Sequence, residues 1–192
     1  MSEFLEIEFK NGLTRHEYQK LIQYFNVDQD NCIQQENIYF DTHNLDLKQI
    51  HCALRVRVKE NGMELTLKQK GDEGILETTD NITQEEWIKL LNHHELPNKE
   101  VAFKLKQLAI STPLYELARL TTLRYEIAYL NNLIALDEST YYGFTDYEIE
   151  LETAKYEDGE KVFNDLLTLF QISRNETKSK IVRAYIYKTT KI

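Results

Sequence analysis

The sequence predicts an α+β fold built on a mostly antiparallel sheet. Eight segments alternate apolar and polar residues at period two, the signature of half-buried strands. Helical patterns come singly between groups of strands, so hairpins outnumber crossovers. Asn61-Gly62 stands between two alternating segments, and Asn-Gly is the strongest short hairpin signal.

Residues 4–10 form the first strand. Thr14-Arg15-His16-Glu17 is a capping box opening a helix with Tyr18, Leu21, Ile22 and Phe25 at helical spacing. Strands follow at 37–40, 53–60, 63–70 and 75–79. A second capping box, Thr83 with Glu86, opens a helix carrying Trp87, Leu90 and Leu91, and His93-His94 close it, where the helix dipole favours them. Pro97 suits the start of a third helix with Val101, Leu105 and Leu108 on one face. Strands at 122–129 and 133–138 flank a tight turn at Asn131-Asn132, and 147–153 is the last strand. A helix over 159–170 turns Val162, Phe163, Leu166, Leu167 and Phe170 inward, and a final one contains 181–187.

The chain of 192 residues is long enough for one sizeable core, and one domain over 1–192 is expected. Its 42% hydrophobic content, with only 6 Gly and 2 Pro, argues against disorder and long linkers. The 32 acids against 23 bases leave a charge of -9, which speaks against a nucleic-acid or anionic-membrane surface. The N-terminus lacks the apolar core of a signal peptide, and no apolar run approaches the length of a membrane span. Cys32 and Cys52 are isolated, which fits reduced thiols in a cytoplasmic protein. The five histidines make no HExxH pattern, and there is no Walker loop, GxGxxG or GxSxG.

What alternates with the apolar residues is more informative. Glu6, Glu8 and Lys10 share one strand face, as do Arg55 and Arg57, Glu64, Lys68 and Lys70, Arg124 and Glu126, and Glu148, Glu150 and Glu152. One reading is a sheet with its charged face in water. Yet the charges come as Glu-x-Glu, Arg-x-Arg and Lys-x-Lys, and like charges two apart gain nothing from each other. A sheet of this many strands also tends to curl, which puts one face inside. Buried charges must be paired, so an enclosed charged face implies carboxylates holding cations and bases holding a polyanion. Carboxylates suit Mg²⁺ or Mn²⁺, and arginine forks suit phosphate.

Glu6-Ile7-Glu8-Phe9-Lys10, an ExExK motif, occurs in order with Arg55-Val56-Arg57, Lys68-Gln69-Lys70 and Glu148-Ile149-Glu150. This ordered set resembles the CYTH superfamily, the triphosphate tunnel metalloenzymes, and Tyr39-Phe40-Asp41-Thr42 is similar to the family's YFDT segment. The resemblance implies an eight-stranded antiparallel barrel, a tunnel with a charged interior and helices packed outside. It implies Glu6, Glu8, Asp137, Glu148 and Glu150 as ligands of Mg²⁺ or Mn²⁺, with Glu6, Glu8, Lys10 and Asp137 in catalysis. Lys10, Arg55, Arg57, Lys68, Lys70, Arg124, Lys180 and Arg183 match positions that grip the triphosphate or compete for them, and Glu77 matches a further inward glutamate. Glu152 replaces Glu148 if the last strand is shifted by two; Lys70 competes with Lys68, Arg119 with Arg124, and Arg183 with Lys180. Thr122 stands where some relatives carry a second base.

The implied activity is metal-dependent hydrolysis of a small triphosphate, with an adenylyl cyclase, a non-catalytic triphosphate-binding module and a protein-interaction domain as rivals. No nucleic-acid or membrane partner is expected, and a homodimer is left open. The eight named bases and five named acids make the expected site net positive, which leaves 15 bases and 27 acids elsewhere. A negative chain can therefore carry a phosphate site.

Overall fold

A computed structural model describes residues 2–71, 74–110 and 112–190. Its strands are β1 (Ser2–Leu13), β2 (Ile33–Asp41), β3 (Cys52–Lys59), β4 (Gly62–Lys70), β5 (Ile75–Ile82), β6 (Tyr115–Tyr129), β7 (Asn132–Tyr141) and β8 (Phe144–Thr153). They form a closed barrel in the order β1-β5-β4-β3-β2-β6-β7-β8. The helices are α1 (Arg15–Tyr24), α2 (Asp46–Gln49), α3 (Gln84–His93), α4 (Glu100–Gln107), α5 (Tyr156–Leu169) and α6 (Lys180–Thr190). No helix among the described residues is long and apolar enough to cross a membrane. Cys32 and Cys52 are both free.

The chain separates into two compact units: residues 1–5 with Glu36–Arg119, and Glu6–Gln35 with residues 120–192. In the first unit, β2 to β5 form an antiparallel meander in which Tyr39, Arg55, Thr66 and Thr79 stand level, as do Asn37, Arg57, Glu64 and Asn81. The opposite face carries Ile38, Phe40, Leu54, Val56, Leu65 and Leu67, which pack with Leu90 of α3 and Val101 and Leu105 of α4. The strict alternation thus separates a core from a charged face. Both sides of the Thr83 capping box form: Thr83 Oγ1 accepts from Glu86 N–H, and Thr83 N–H donates to Glu86.

Several sequence expectations shift here. Pro97 does not open α4; the helix starts three residues later, where the buried Asp80 carboxylate accepts from Val101 N–H at 2.8 Å and caps it from a neighbouring strand. The β3–β4 hairpin loop is Glu60-Asn61 rather than Asn61-Gly62, with Gly62 at φ 151° at the strand start, a conformation suited to glycine. The short helix α2 was not anticipated. Asp41 of the YFDT segment builds it, accepting from the N–H groups of Thr42, Leu47 and Lys48.

In the second unit, β1 pairs with β8, β8 with β7 and β7 with β6, all antiparallel. The core face carries Phe9, Leu13, Ile134, Leu136, Ile149 and Leu151 against Tyr18 and Leu21 of α1 and Phe163, Leu166 and Leu167 of α5. The Thr14 capping box forms as expected. The β6–β7 turn is Leu130-Asn131, one residue earlier than expected, with φ of 47° and 60°, and Tyr142-Gly143 makes a similar turn before β8. α5 begins at Tyr156 rather than Gly159. Gly159 lies buried within it because a Cβ there would stand 2.4 Å from Thr153 Cγ2 and 2.9 Å from Phe9. β6 runs seven residues further toward the N-terminus than the alternation at 122–129 suggested.

Candidate active site

In the second unit the pairing register places the charged residues of four strands side by side. Lys10 lies opposite Glu150, Glu150 opposite Ala135, Glu148 opposite Asp137, and Asp137 opposite Arg124. Because directly paired residues share a sheet face, these side chains converge. Gly12, opposite Glu148, makes room for the segment before α6: a Cβ there would stand 2.9 Å from Asn175 Nδ2.

Asp137, Glu148 and Glu150 are buried, and one oxygen from each lies within 4.8 Å of the others. Three cations neutralise this group. Arg124 donates to both Asp137 oxygens at 2.8 and 2.7 Å and reaches Glu150 at 2.5 Å. Lys180 contacts Asp137 at 2.7 Å, Glu150 at 2.8 Å and also Glu148. Arg183 lies 2.6 Å from Glu148 and 2.8 Å from Asp146. Arg183 also donates to Thr177 Oγ1 and the Lys178 carbonyl, fixing the approach to α6.

The environment splits the two glutamates. Burial pushes Glu148 up to about 7 even against the pull of Lys180. For Glu150, burial acts the same way, but Lys180 and Arg124 outweigh it and hold its carboxyl well below the usual range. Lys180 and Arg124 would be lowered by burial alone; their carboxylate partners raise both instead. All three cations therefore stay charged at neutral pH, with Arg183 shared between Glu148 and Asp146.

Glu8 pairs with Lys10 at 2.9 Å, and neither Glu6 nor Glu8 joins the three-carboxylate group. Both act on the neighbouring Glu152: burial first, then Glu6, pushes it up to about 7, with Glu150 and Glu8 adding to the effect. Burial would lower Lys10, but Glu8 outweighs it and raises the ammonium. Between the register alternatives, Glu148 stands in the buried group, whereas Glu152 is 32% exposed and 3.8 Å from Arg124. Arg119 is more exposed and pairs with Glu36 and Glu116, while Arg124 is buried.

The first unit holds its own charged face. Arg57 donates to Asn37 Oδ1 at 2.9 Å, Lys68 pairs with Glu77, and Lys70 is exposed at the strand end. Arg55 is 7% exposed, yet its Nε has no hydrogen-bond partner among the described residues. A buried guanidinium N–H left without an acceptor is costly, and an external anion would satisfy it. Tyr39, level with Arg55, is buried too.

Sequence reasoning missed Asn11. It is fully buried, donates to the carbonyls of Gly12 and Ser173, and accepts from Asn175 N–H at 2.6 Å. With Gly12 N–H donating to Asn175 O, it stitches the segment before α6 to β1, about which the sequence separation of some 160 residues says nothing. A polar residue inside the β1 alternation was the available signal.

The CYTH domain family model matches residues 5–185. The chain belongs to the CYTH family. A Bacillus subtilis (strain 168) relative of this CYTH chain, named "Putative triphosphatase YjbK", is 39% identical over 186 residues, covering 96% of each chain. A solved structure named as a "putative adenylate cyclase" from Bacillus halodurans is 35% identical, with a TM-score of 0.92, covering 95% of this chain and 98% of that one. HpAC1 from Hippeastrum shares the CYTH chain's fold at 22% identity and a TM-score of 0.76, covering 98% and 97%.

Proposed function

We propose that this CYTH protein is a divalent-metal-dependent triphosphatase acting on a small triphosphate. The convergence of Asp137, Glu148 and Glu150 in one buried group carries this reading. Three hard oxygen donors fit Mg²⁺ or Mn²⁺, and their ion pairing with the Lys180 ammonium supports a cation-holding role. The 39% identical relative named as a triphosphatase supports it.

In this reading Asp137, Glu148 and Glu150 hold the ion, and Glu6 and Glu8 extend the acidic wall toward it. A bound divalent ion supplies charge neutralisation at phosphoryl oxygens and a more acidic water. Arg124 keeps Glu150 ionised and fixes Asp137 and Glu150 in orientation. Arg55, Arg57, Lys68 and Lys10 bind phosphate oxygens and stabilise charge on the transferring phosphoryl, with Lys70 and Arg183 as outlying bases. The unpartnered Nε of Arg55 is the donor best prepared for this. The whole chain acts as one domain in this reading, in the cytoplasm, on a small molecule rather than a nucleic acid.

A second reading, adenylyl cyclase chemistry, is favoured by the name of the 35% identical structure. It requires the 3′-hydroxyl of ATP to attack the α-phosphorus, with pyrophosphate leaving. Incubation with tripolyphosphate, thiamine triphosphate or ATP, each with Mg²⁺ or Mn²⁺, separates the two by product. Orthophosphate release supports hydrolysis; cyclic AMP with pyrophosphate supports the cyclase; tight binding without product refutes both.

A further inference from the structure

Lys180 sits among the three carboxylates proposed to hold the divalent ion. Its Nζ is 2.7 Å from Asp137 Oδ2 and 2.8 Å from Glu150 Oε1, and it also contacts Glu148. These are the three carboxylates whose oxygens lie within 4.8 Å of one another. An ammonium at hydrogen-bond distance from all three fills the space among them, and it repels any second cation placed there. The charge balance points the same way. Arg124, Lys180 and Arg183 already stand against these carboxylates, Arg183 holding Asp146 as well, so three cationic groups compensate them before any ion arrives. Adding a divalent ion with all three bases in place would bring two more positive charges against them in a buried setting.

The bases differ in how readily they can leave. Arg124 is held by a two-pronged contact to Asp137 and by Glu150, on a strand in mid-sheet. Arg183 has alternative partners in Asp146, Thr177 and the Lys178 carbonyl. Lys180 is the first residue of α6, on a long flexible stem, and among the described residues its side chain is held by these carboxylates alone. The segment ahead of it is anchored to β1 through Asn11, so the side chain can swing while the backbone stays fixed.

We propose that Lys180 is a built-in competitor of the metal: ammonium and divalent ion exclude each other at Asp137, Glu148 and Glu150, and metal binding expels the Lys180 side chain. Metal alone then binds weakly. A metal arriving with a polyanion binds better, because the anion offers the displaced ammonium a new partner. The inference takes its ion from the proposed metal-dependent reading, but its test needs no turnover.

Mn²⁺ binding to the intact protein is measured by electron paramagnetic resonance of free Mn²⁺, for the native chain and for Lys180→Gln. The variant is expected to bind Mn²⁺ about tenfold more tightly or better. In parallel, acylation of the native protein's lysines is followed by peptide mass spectrometry, with the exposed Lys161 as internal reference. Lys180, whose side chain is 12% exposed, is expected to react slowly without metal and several times faster at saturating Mn²⁺. Equal Mn²⁺ affinity in the two proteins, no Mn²⁺ binding in either, or unchanged Lys180 reactivity at saturation overturns the proposal. The acylation result decides if the variant does not fold. Tighter Mn²⁺ binding in a protein that releases no phosphate would defeat the hydrolase reading and leave this one standing.

Discussion

Replacing Arg124 by Met tests whether the buried charges are arranged as described. Arg124 and Asp137 have side chains 8% and 0% exposed, and the guanidinium grips both Asp137 oxygens as well as Glu150. Methionine fills similar volume but takes one positive charge away from the carboxylate group. Breaking a buried pair by removing one partner costs about 3–5 kcal/mol. At roughly 2–4 °C per kcal/mol for a chain of this size, the melting temperature should fall by about 6–20 °C. Asp137→Leu errs in the opposite direction, taking one carboxylate away, while Arg124 keeps Glu150 and Lys180 keeps both glutamates. The double variant restores the group's native net charge, so it should be more stable than the sum of the single losses by about 1–3 kcal/mol. Denaturant unfolding followed by circular dichroism, over a complete double-mutant cycle, reads all four proteins. A melting temperature for Arg124→Met within about 2 °C of the native value, or strictly additive losses, would refute the charge-balance reasoning.

Other sites give sharper contrasts. Arg55→Met should raise KM for tripolyphosphate by about tenfold or more while leaving the melting temperature unchanged or higher, because the buried Nε loses no partner; a clear fall in stability would show a structural role instead. Glu150→Gln removes a carboxylate from the group of three and should abolish both Mn²⁺ binding and phosphate release, read by titration and orthophosphate assay. Glu152 is held up to about 7, above the usual carboxylate range, so its contribution to stability is present below about pH 4.5 and is lost as pH rises through 7. Glu152→Gln should therefore gain about 1–2 kcal/mol at pH 8, discounted for its partial exposure, and nothing at pH 4. Equal gains in denaturation midpoint at both pH values would remove the electrostatic explanation.

Much of the fold is legible in local chemistry. The capping boxes at Thr14 and Thr83 form as their residues require, because each closes over three residues without tertiary help. The alternation in β3, β4 and β8 separates a core from a charged face. Local signals misplace what a distant group decides. Pro97 looked like a helix start, but Asp80 on β5 sets that start at Glu100. Gly159 looked like a helix boundary, but it is the point where α5 approaches Thr153 and Phe9. Asp41 was read only as part of a family segment, and its three backbone contacts build α2.

For the candidate site, the sequence alone determined the cast: Glu-x-Glu and Arg-x-Arg repeats on one strand face, which neither a nucleic-acid surface nor an ordinary solvated sheet explains, and an ordered motif set whose family the chain shares. Only the tertiary structure decided the pairing. The strand register sets Glu148 against Asp137, and Asn11 ties the segment before α6 to β1, from which Lys180 reaches Asp137, Glu148 and Glu150. The physical reason is range. Period-two alternation and helix caps are settled over two to four residues, whereas ion pairing in a buried group depends on which distant segments share one low-dielectric space.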